Sequence, residues 1–301
     1  MNFNLFKNIL NTNQIKLSEP MSRHTTLGIG GPADCLVLPN TREELSQVVH
    51  ILSKEKIPFI VIGGGANLLV RDKGIRGVVL VTSRMQQVNK VDNTLIVEAG
   101  VSTIRTAAIA LQYGLSGLEF ASGIPGTIGG AAYMNAGAYG GEMSQVVTGI
   151  TSCDREGIFH RYEGDEIRYA YRHSAFMDNH EIIIEVSISL QPATTTSIKM
   201  KMDDFNTRRR NKQPLDAKSA GSTFKRPEGH YVGHMIESLG LKGFSVGDAS
   251  VSTKHAGFLI NKGKASCKDM LHLIEEIQYR VRERYNVCLL YTSPSPRDTE
   301  R

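Results

Sequence analysis

Two glycine-rich segments contain the residues best suited to holding a phosphorylated ligand. Residues 63–67 (GGGAN) directly follow the apolar run FIVI, and residues 123–142 read GIPGTIGGAAYMNAGAYGGE. Glycine tolerates positive φ, so successive N–H groups can converge on an anion, and small neighbours let the backbone approach a ligand closely. Together the two segments could bind the two ends of a dinucleotide. Residues 63–67 taken alone could also be a simple tight turn.

Three further positions carry side chains with chemistry of their own. Arg172 follows Tyr171 in the sequence YRHS, Ser222 stands in AGSTF, and His255 stands in KHAGF. Each is a polar residue in small or apolar surroundings. That pattern suits a catalytic group, but it is also common for a purely structural residue.

The positive charge is concentrated in one segment. Residues 199–226 contain nine basic and three acidic side chains, whereas the whole chain has a net charge of +5. A short basic segment suits a compact anionic ligand better than a nucleic acid, which needs a spread stripe of Lys and Arg. The alternative is a solvated helix whose basic last turn complements the helix dipole.

The composition excludes several classes of protein. With 41% hydrophobic and 22% charged residues among 301, the chain is typical of a globular protein. The four cysteines form no CxxC pair, which argues against a zinc ribbon, a redox dithiol or a disulfide framework. His230 and His234 have no third metal ligand nearby in sequence, so no metal site is predicted. No apolar run approaches the roughly 20 residues of a membrane helix, and no signal-peptide core is present. We therefore expect a cytoplasmic protein without membrane or nucleic-acid partners.

Hydrophobic periodicity and turn residues predict an α+β fold. Thr41 and Glu44 form a capping-box pattern ahead of an apolar helical face. The sequence Gly28-x-Gly30-x-x-Ala33 matches the loose dinucleotide fingerprint, but Pro32 stands where its helix should begin, so a Rossmann fold is not favoured. Strands are predicted at 35–39, in FIVI, and at 77–81, 94–100, 146–153, 182–190 and 257–261; helices are predicted after Thr41, at 103–113, within 114–141, and at 195–211, 231–239 and 267–285.

Six ordered blocks of the sequence resemble the family of UDP-N-acetylenolpyruvoylglucosamine reductases. The resemblance runs from about residue 17 to residue 290, and the short stretch between Leu190 and Lys199 resembles the shorter, second type of the family. The blocks are HTTLGIGGPAD, VIGGGANLLVRDKGIRG, GLEFASGIPGTIGGAAYMNAGAYGGE, YRHS, KQPLDAKSAGSTFKRP and STKHAGFLIN.

The resemblance implies a two-part FAD-binding domain of the vanillyl-alcohol-oxidase (PCMH) type and a smaller α+β substrate-binding domain. The first is expected over residues 1–195, with subdomains of about 1–80 and 81–195, and the second over residues 196–290. The implied activity is the NADPH-dependent, FAD-mediated reduction of UDP-N-acetylglucosamine enolpyruvate in peptidoglycan precursor synthesis, by a monomer. This places the protein in cell wall biogenesis, and hence in cell shape and division.

The resemblance also assigns roles to individual residues. Arg172 is implied to stabilise the substrate carboxylate, and Ser222 to donate the proton. Substrate contacts are implied for Tyr171, Lys212, Lys225, Arg226 and His255. FAD contacts are implied for Gly63, Gly64, Gly65, Ala66, Asn67, Gly123, Pro125, Gly126, Thr127, Gly129, Gly130, Asn135, Gly137 and Ala138.

The C-terminal end departs from the family pattern. The family has a catalytic glutamate in a Pro-Glu-Val-Arg segment, whereas this chain has Thr292 at the corresponding count, within YTSPSPRD. Proline removes backbone donors, so SPSP cannot continue a strand. We therefore expect residues 291–301 to be a foreign or read-through tail, and a FAD- and UDP-sugar-binding protein of little activity is the alternative function. A related flavin oxidase and a nucleic-acid binder are weaker alternatives.

Overall fold

The computed structural model describes residues 3–291 and shows a mixed α+β protein. Its α-helices are α1 (Arg42–Lys54), α2 (Thr103–Gln112), α3 (Ile128–Tyr133), α4 (Ala175–Asn179), α5 (Thr195–Lys212), α6 (Val232–Ser238) and α7 (Cys267–Tyr285). Its strands are β1 (Ile15–Pro20), β2 (Pro32–Val37), β3 (Phe59–Ile62), β4 (Ile75–Val81), β5 (Val88–Val91), β6 (Thr94–Glu98), β7 (Leu115–Ser116), β8 (Gly137–Ala138), β9 (Gly141–Glu142), β10 (Val147–Cys153), β11 (Phe159–Glu163), β12 (Ile182–Ser189), β13 (Gln191–Pro192), β14 (Lys218–Ser222), β15 (Ser245–Val246), β16 (Ala249–Val251) and β17 (Phe258–Asn261).

The chain forms two compact units that do not follow the chain order. The first unit comprises Met1–Leu17, Cys35–Gly64 and Arg76–Arg208. The second comprises Ser18–Asp34, Gly65–Ile75 and Arg209–Arg301. Two short excursions of the N-terminal half therefore belong with the C-terminal third.

Two larger sheets organise the first unit. One has the order β1-β2-β4-β3, in which β3 and β4 are parallel and Phe59 pairs with Val78. The other has the order β11-β10-β12-β6-β5 with antiparallel neighbours throughout. Because β3 and β4 are parallel, the chain must cross from the end of β3 back to the start of β4. The first glycine-rich segment begins this connection.

Helix α1 shows how the sequence determines these elements. The Thr41 side chain caps the helix by accepting a hydrogen bond from the Glu44 N–H at 3.1 Å. The apolar residues at helical spacing (Leu45, Val48, Val49 and Leu52) are all fully buried in one core cluster. The Glu44 carboxylate accepts from the Asn40 N–H at 2.7 Å and from Gln14 Nε2 at 2.6 Å, so it fixes the strand-to-helix turn.

The second unit has an antiparallel sheet of order β14-β17-β16-β15 and the helices α6 and α7. The first turn of α7 is capped by Ser266 and also by Asp72, whose carboxylate accepts from the N–H groups of Cys267 (2.8 Å) and Lys268 (3.1 Å). An anionic side chain at a helix N-terminus satisfies free N–H groups and complements the helix dipole. Asp72 thus ties the 65–75 excursion to α7.

The 18–34 excursion is tied to the same sheet. Thr26 Oγ1 donates to the Ser219 carbonyl at 2.7 Å, and Asn261 Nδ2 donates to the Leu27 carbonyl at 3.0 Å. Pro32 begins strand β2 rather than a helix, which excludes a Rossmann interpretation of the neighbouring glycines. Across residues 3–291, no helix is long and apolar enough to cross a membrane.

Candidate functional site

The two glycine-rich segments of the first unit contact each other. A Cβ atom at Gly63 would lie 2.2 Å from Thr127 Oγ1, and one at Gly64 would lie 2.8 Å from the Gly126 Cα. Neither distance is compatible with a side chain, so this approach of the two backbones requires glycine. Gly126 itself has φ of +103°, which few other residues adopt.

Helix α3 begins at this contact and uses several of its own N–H groups. Thr127 caps it by accepting from the Gly130 N–H at 3.4 Å, and the Gly129 N–H donates to the Ala99 carbonyl at 3.0 Å. Within residues 3–291, four neighbouring N–H groups donate to no protein acceptor: those of Gly63, Gly64, Gly126 and Thr127. Unpaired N–H groups converging from two small-residue loops suit a diphosphate.

The remaining residues of the first glycine segment lie in the second unit. Gly65 has φ of +61°, and a Cβ there would lie 1.9 Å from the His24 carbonyl oxygen. Its own carbonyl accepts from the Thr26 N–H at 3.2 Å. Ala66 and Asn67 are half-buried. The conformation of this turn is therefore set by residues 18–34.

Arg172 stands at the tip of a tight turn and reaches the second glycine segment. Reciprocal 3.1 Å backbone hydrogen bonds join Ala170 and His173, and Arg172 has φ of +55°, a strained value for this residue type. Its guanidinium donates to the Asn135 carbonyl at 3.0 Å and to the Gly137 carbonyl at 3.1 Å. The cation is thus half-buried and held against the loop that the sequence assigns to FAD.

Other residues predicted near Arg172 differ in their exposure. Tyr171 is exposed and its ring lies 5.1 Å from the Arg172 guanidinium carbon, whereas Asn135 is buried and hydrogen-bonded to protein groups. Gly123, Gly137 and Ala138 are half-buried, and Pro125 is exposed. The structure therefore brings Tyr171, Arg172 and the second glycine segment together.

Ser222 and His255 of the second unit converge on Gly257. Ser222 ends β14 after a bulge at Gly221, whose φ is +77°, and it pairs with Phe258 of β17. A Cβ at Gly257 would lie 3.7 Å from Ser222 Oγ and 3.1 Å from His255 Cε1. Only glycine at position 257 leaves both side chains this close to one point.

The surroundings of His255 keep its imidazole neutral. Its Nδ1 accepts from the Gly257 N–H at 3.1 Å, which places the ring hydrogen on Nε2. Burial lowers the pKa of His255, and the positive charges of Lys242 and Lys212 lower it further. The ring can therefore donate a hydrogen bond from Nε2 at neutral pH.

The basic residues assigned to the substrate lie in different settings within the second unit. Lys212 is exposed at the end of α5, and Lys225 is half-buried, with its N–H donating to the Leu290 carbonyl at 2.7 Å. Arg226 is exposed and its guanidinium carbon lies 3.9 Å above the Tyr231 ring. Among residues 3–291 no group of His, Cys, Asp and Glu side chains could hold a metal ion.

Sequence reasoning missed three polar residues around these loops. Ser122 Oγ and the Tyr169 hydroxyl are buried without a protein partner, and Glu142 hydrogen-bonds to Asn135. Ser122 directly precedes the GIPG turn, so its place in the sequence could have marked it as a candidate ligand contact. Tyr169 and Glu142 become evident only from the packing. A buried hydroxyl without a partner is a place where a bound ligand can supply one.

Comparisons with known proteins agree with this geometry. The family profile described as "FAD binding domain" matches residues 33–162, and the profile described as "UDP-N-acetylenolpyruvoylglucosamine reductase, C-terminal domain" matches residues 213–291. The chain is 49% identical over 284 residues to the UDP-N-acetylenolpyruvoylglucosamine reductase of Caldanaerobacter subterraneus subsp. tengcongensis, covering 94% of both chains. It is 46% identical to the reductase of the same name from Clostridium novyi, covering 94% of this chain and 92% of that one.

A solved structure gives the same result. The crystal structure of UDP-N-acetylenolpyruvylglucosamine reductase from Thermus caldophilus aligns with a TM-score of 0.79 at 36% identity, covering 93% of this chain and 97% of that one. These matches show an oxidoreductase with a FAD-binding domain of the PCMH type. The chain belongs to the UDP-N-acetylenolpyruvoylglucosamine reductase family. The predictions of family, fold class, oxidoreductase class and FAD are thereby confirmed.

Proposed function

We propose that this chain reduces UDP-N-acetylglucosamine enolpyruvate to UDP-N-acetylmuramate with FAD and NADPH. The observation that carries the proposal is the position of Arg172, whose guanidinium is fixed on the carbonyls of the glycine loop that fits FAD. Residues 1–195 are proposed as the FAD-binding domain and residues 196–290 as the substrate-binding domain. The product is a precursor of peptidoglycan, which places the reaction in the cytoplasm.

The fit of FAD rests on the backbone. The unpaired N–H groups of Gly63, Gly64, Gly126 and Thr127 are proposed to bind its diphosphate, and the small residues leave room for a close approach. The other predicted contacts, at residues 65–67, 123, 125, 129, 130, 135, 137 and 138, are proposed to line the same cofactor. When bound, the flavin supplies the chemistry of taking a hydride from NADPH and passing it to the substrate's vinyl CH₂ carbon.

Arg172 and Ser222 complete the reduction of the double bond. Addition of hydride to the vinyl carbon puts negative charge on the neighbouring carbon and its carboxylate. Arg172 stabilises that charge, and a fixed donor of this kind is typically worth ~3 kcal/mol. The Ser222 hydroxyl gives its proton to the same carbon and is reprotonated from solvent; general acid catalysis of this kind commonly contributes ~10²- to 10⁴-fold.

The remaining predicted residues are proposed to bind the rest of the substrate. Lys212, Lys225 and Arg226 supply positive charge for the UDP diphosphate. Tyr171 covers Arg172, and the neutral His255 ring donates from Nε2 beside Ser222. Binding of a compact dianion would use the positive charge of residues 212–226, whereas the exposed Lys199 and Arg208 pair with Asp203 and Asp204 on helix α5.

The sequence after residue 290 favours a second candidate, a FAD- and UDP-sugar-binding protein of little activity. Thr292 replaces the glutamate that the family pattern has at that point. Thr292 and the proposed tail after Tyr291 lie outside the described residues. A threonine hydroxyl supplies neither the negative charge nor the basicity of a carboxylate, so turnover is the property expected to suffer.

Analysis of the product tests the proposal. The purified chain is incubated with FAD, NADPH and the enolpyruvate substrate in deuterated water, and the product is examined by mass spectrometry and proton NMR. We expect UDP-N-acetylmuramate that carries solvent deuterium on the carbon next to the carboxylate. Retention of tightly bound flavin with unchanged substrate would support the second candidate, and a chain that binds neither flavin nor UDP-sugar would contradict both.

A further inference from the structure

Asn135 is the most thoroughly hydrogen-bonded side chain of the second glycine segment. It is 1% exposed, and its backbone has φ of +41°. Its Nδ2 donates to the Ala170 carbonyl at 3.0 Å and to Glu142 Oε1 at 3.2 Å, and its Oδ1 accepts from the Ser144 N–H at 2.9 Å. Both amide hydrogens are therefore used inside the protein.

The partners of Asn135 lie on both sides of Arg172. Ala170 is the first residue of the tight turn that carries Arg172, so the Asn135 side chain holds the base of that turn. The Asn135 carbonyl accepts from the Arg172 guanidinium at 3.0 Å. One residue thus fixes the start of the Arg172 turn with its amide and the end of the Arg172 side chain with its backbone.

Glu142 determines which way the Asn135 amide points. Its Oε1 accepts from Asn135 Nδ2 and, at 2.6 Å, from Ser144 Oγ. Glu142 also pairs with Gly137 in the β8–β9 ladder, and Gly137 provides the second carbonyl that binds Arg172. A carboxylate accepts only, so it forces the NH₂ end of the Asn135 amide toward Ala170 and the oxygen toward Ser144.

We propose that Asn135 is a positioning residue for Arg172, oriented by Glu142, rather than a residue that contacts FAD. This inference rests on the proposed function, in which Arg172 binds the substrate carboxylate. Arg172 is held at a strained φ of +55°, and such a conformation persists only when the surroundings impose it. The hydrogen bonds of Asn135 help to impose it, together with the reciprocal Ala170–His173 bonds that close the turn.

The test compares two ligands that differ in one group. UDP-N-acetylglucosamine enolpyruvate has the carboxylate that Arg172 is proposed to bind, and UDP-N-acetylglucosamine lacks it. Binding of each to the oxidised holoprotein is measured by titration calorimetry, which requires no turnover. Asn135→Asp keeps the size of the side chain and its acceptor for Ser144 but loses both donors. We expect Asn135→Asp to lower the affinity for the enolpyruvate ligand about tenfold, because hydrogen bonds to the turn are lost. The affinity for UDP-N-acetylglucosamine should change less than about twofold.

A second pair of variants covers the case in which Asn135→Asp does not fold. Glu142→Ala removes the acceptor that orients Asn135, whereas Glu142→Gln keeps an amide oxygen that can accept the same hydrogen bond. We expect Glu142→Ala to lose affinity selectively for the enolpyruvate ligand and Glu142→Gln to retain it. Arg105→Ala, at an exposed arginine bonded to Gln86 and outside this network, serves as the control.

The Arg172→Ala variant separates the possible failures. Arg172→Ala must itself lower the affinity for the enolpyruvate ligand more than that for UDP-N-acetylglucosamine. If it does not, the role of Arg172 in the proposed function is wrong. If Arg172→Ala has that effect but Asn135→Asp and Glu142→Ala do not, the positioning role is overturned. Loss of flavin from Asn135→Asp with unchanged discrimination between the two ligands would overturn it in favour of a direct cofactor contact.

Discussion

At the scale of single residues, Arg172 combines a strained backbone with a fixed guanidinium. Both carbonyls that bind it belong to the second glycine segment, so its charge is placed before any substrate arrives. In the proposed function, a preorganised cation of this kind acts on the charge that develops on the substrate, so we expect it to have no part in the preceding reduction of the flavin by NADPH.

We therefore predict that Arg172→Ala slows the reoxidation of reduced flavin by substrate ~10²- to 10³-fold, as for loss of an oxyanion donor. The rate of flavin reduction by NADPH should stay unchanged. Stopped-flow absorbance measures both rates, and Arg105→Ala, an exposed arginine bonded to Gln86, is the control. Equal slowing of both half-reactions would show that Arg172 supports the cofactor and not the substrate.

His255 provides a prediction on pH. Burial lowers its pKa in the folded protein below the ordinary value of 6.5, whereas the unfolded chain keeps that value. The unfolded state then binds more protons, so the contribution of His255 to stability is present above pH 6.5 and is lost as the pH falls through and below it. Between pH 8 and pH 5, wild type should lose more free energy of unfolding than His255→Asn in urea titrations. Identical pH dependence would show that His255 is protonated equally well in both states.

At the scale of elements, the contact between the two glycine segments depends on the missing side chain of Gly63. An alanine Cβ there would clash with Thr127 Oγ1, and overpacking of this kind costs ~1–3 kcal/mol. We predict that Gly63→Ala lowers the free energy of unfolding by that amount and reduces flavin content.

The same element offers a matched control and a rescue. Gly130 lies in helix α3, and a Cβ there would lie 3.5 Å from Thr127 Oγ1, which is an ordinary contact distance. Gly130→Ala should therefore leave the free energy of unfolding unchanged or raise it. Thr127→Ala removes the clashing oxygen. The Gly63→Ala/Thr127→Ala double variant should therefore lose less free energy of unfolding than the sum of the losses in the two single variants. Strict additivity would mean that the two segments do not contact at this point.

The helices show what the sequence could predict. Helices α1 and α7 follow from apolar periodicity, and the observed bounds of α2, α5, α6 and α7 agree with the predicted ranges to within about one residue. Strand β14 was missed because KSAGS is small and polar, and it forms a strand only by pairing with β17. The hydrogen-bond network of Asn135 was equally hidden, since it joins residues 35 positions apart.

At the scale of the whole molecule, the division into two units lay beyond sequence reasoning. The sequence suggests contiguous domains that meet near residue 195. In the structure, the second compact unit also includes the N-terminal segments Ser18–Asp34 and Gly65–Ile75. The hydrogen bonds responsible, such as those from the start of α7 to Asp72, join positions about 195 residues apart, and no local pattern encodes them. The motifs nevertheless drew attention to Arg172 and the second glycine segment, which the structure brings into contact, while the roles of these residues and of Ser222 stay predictions.

The C-terminal sequence leads to a prediction for the whole chain. Replacing the residues from Tyr291 onward by a family-type end with Pro-Glu-Val-Arg should raise substrate reduction strongly. Flavin content should stay unchanged, because the two glycine-rich segments proposed to bind FAD lie elsewhere in the chain. Steady-state NADPH oxidation and the flavin absorbance of both proteins check this. A restored chain that reduces substrate no faster would show that the missing glutamate does not limit turnover.

The visible spectrum under anaerobic conditions shows whether this chain carries a flavin that passes electrons from NADPH to the enolpyruvate substrate. We expect flavin bands in the purified protein, bleaching on addition of NADPH, and recovery of the bands when UDP-N-acetylglucosamine enolpyruvate follows. Recovery that is slow in this chain and fast with the restored C-terminus would agree with a catalytic role for the glutamate. A preparation that binds no flavin, or flavin that NADPH does not bleach, would overturn the proposed function.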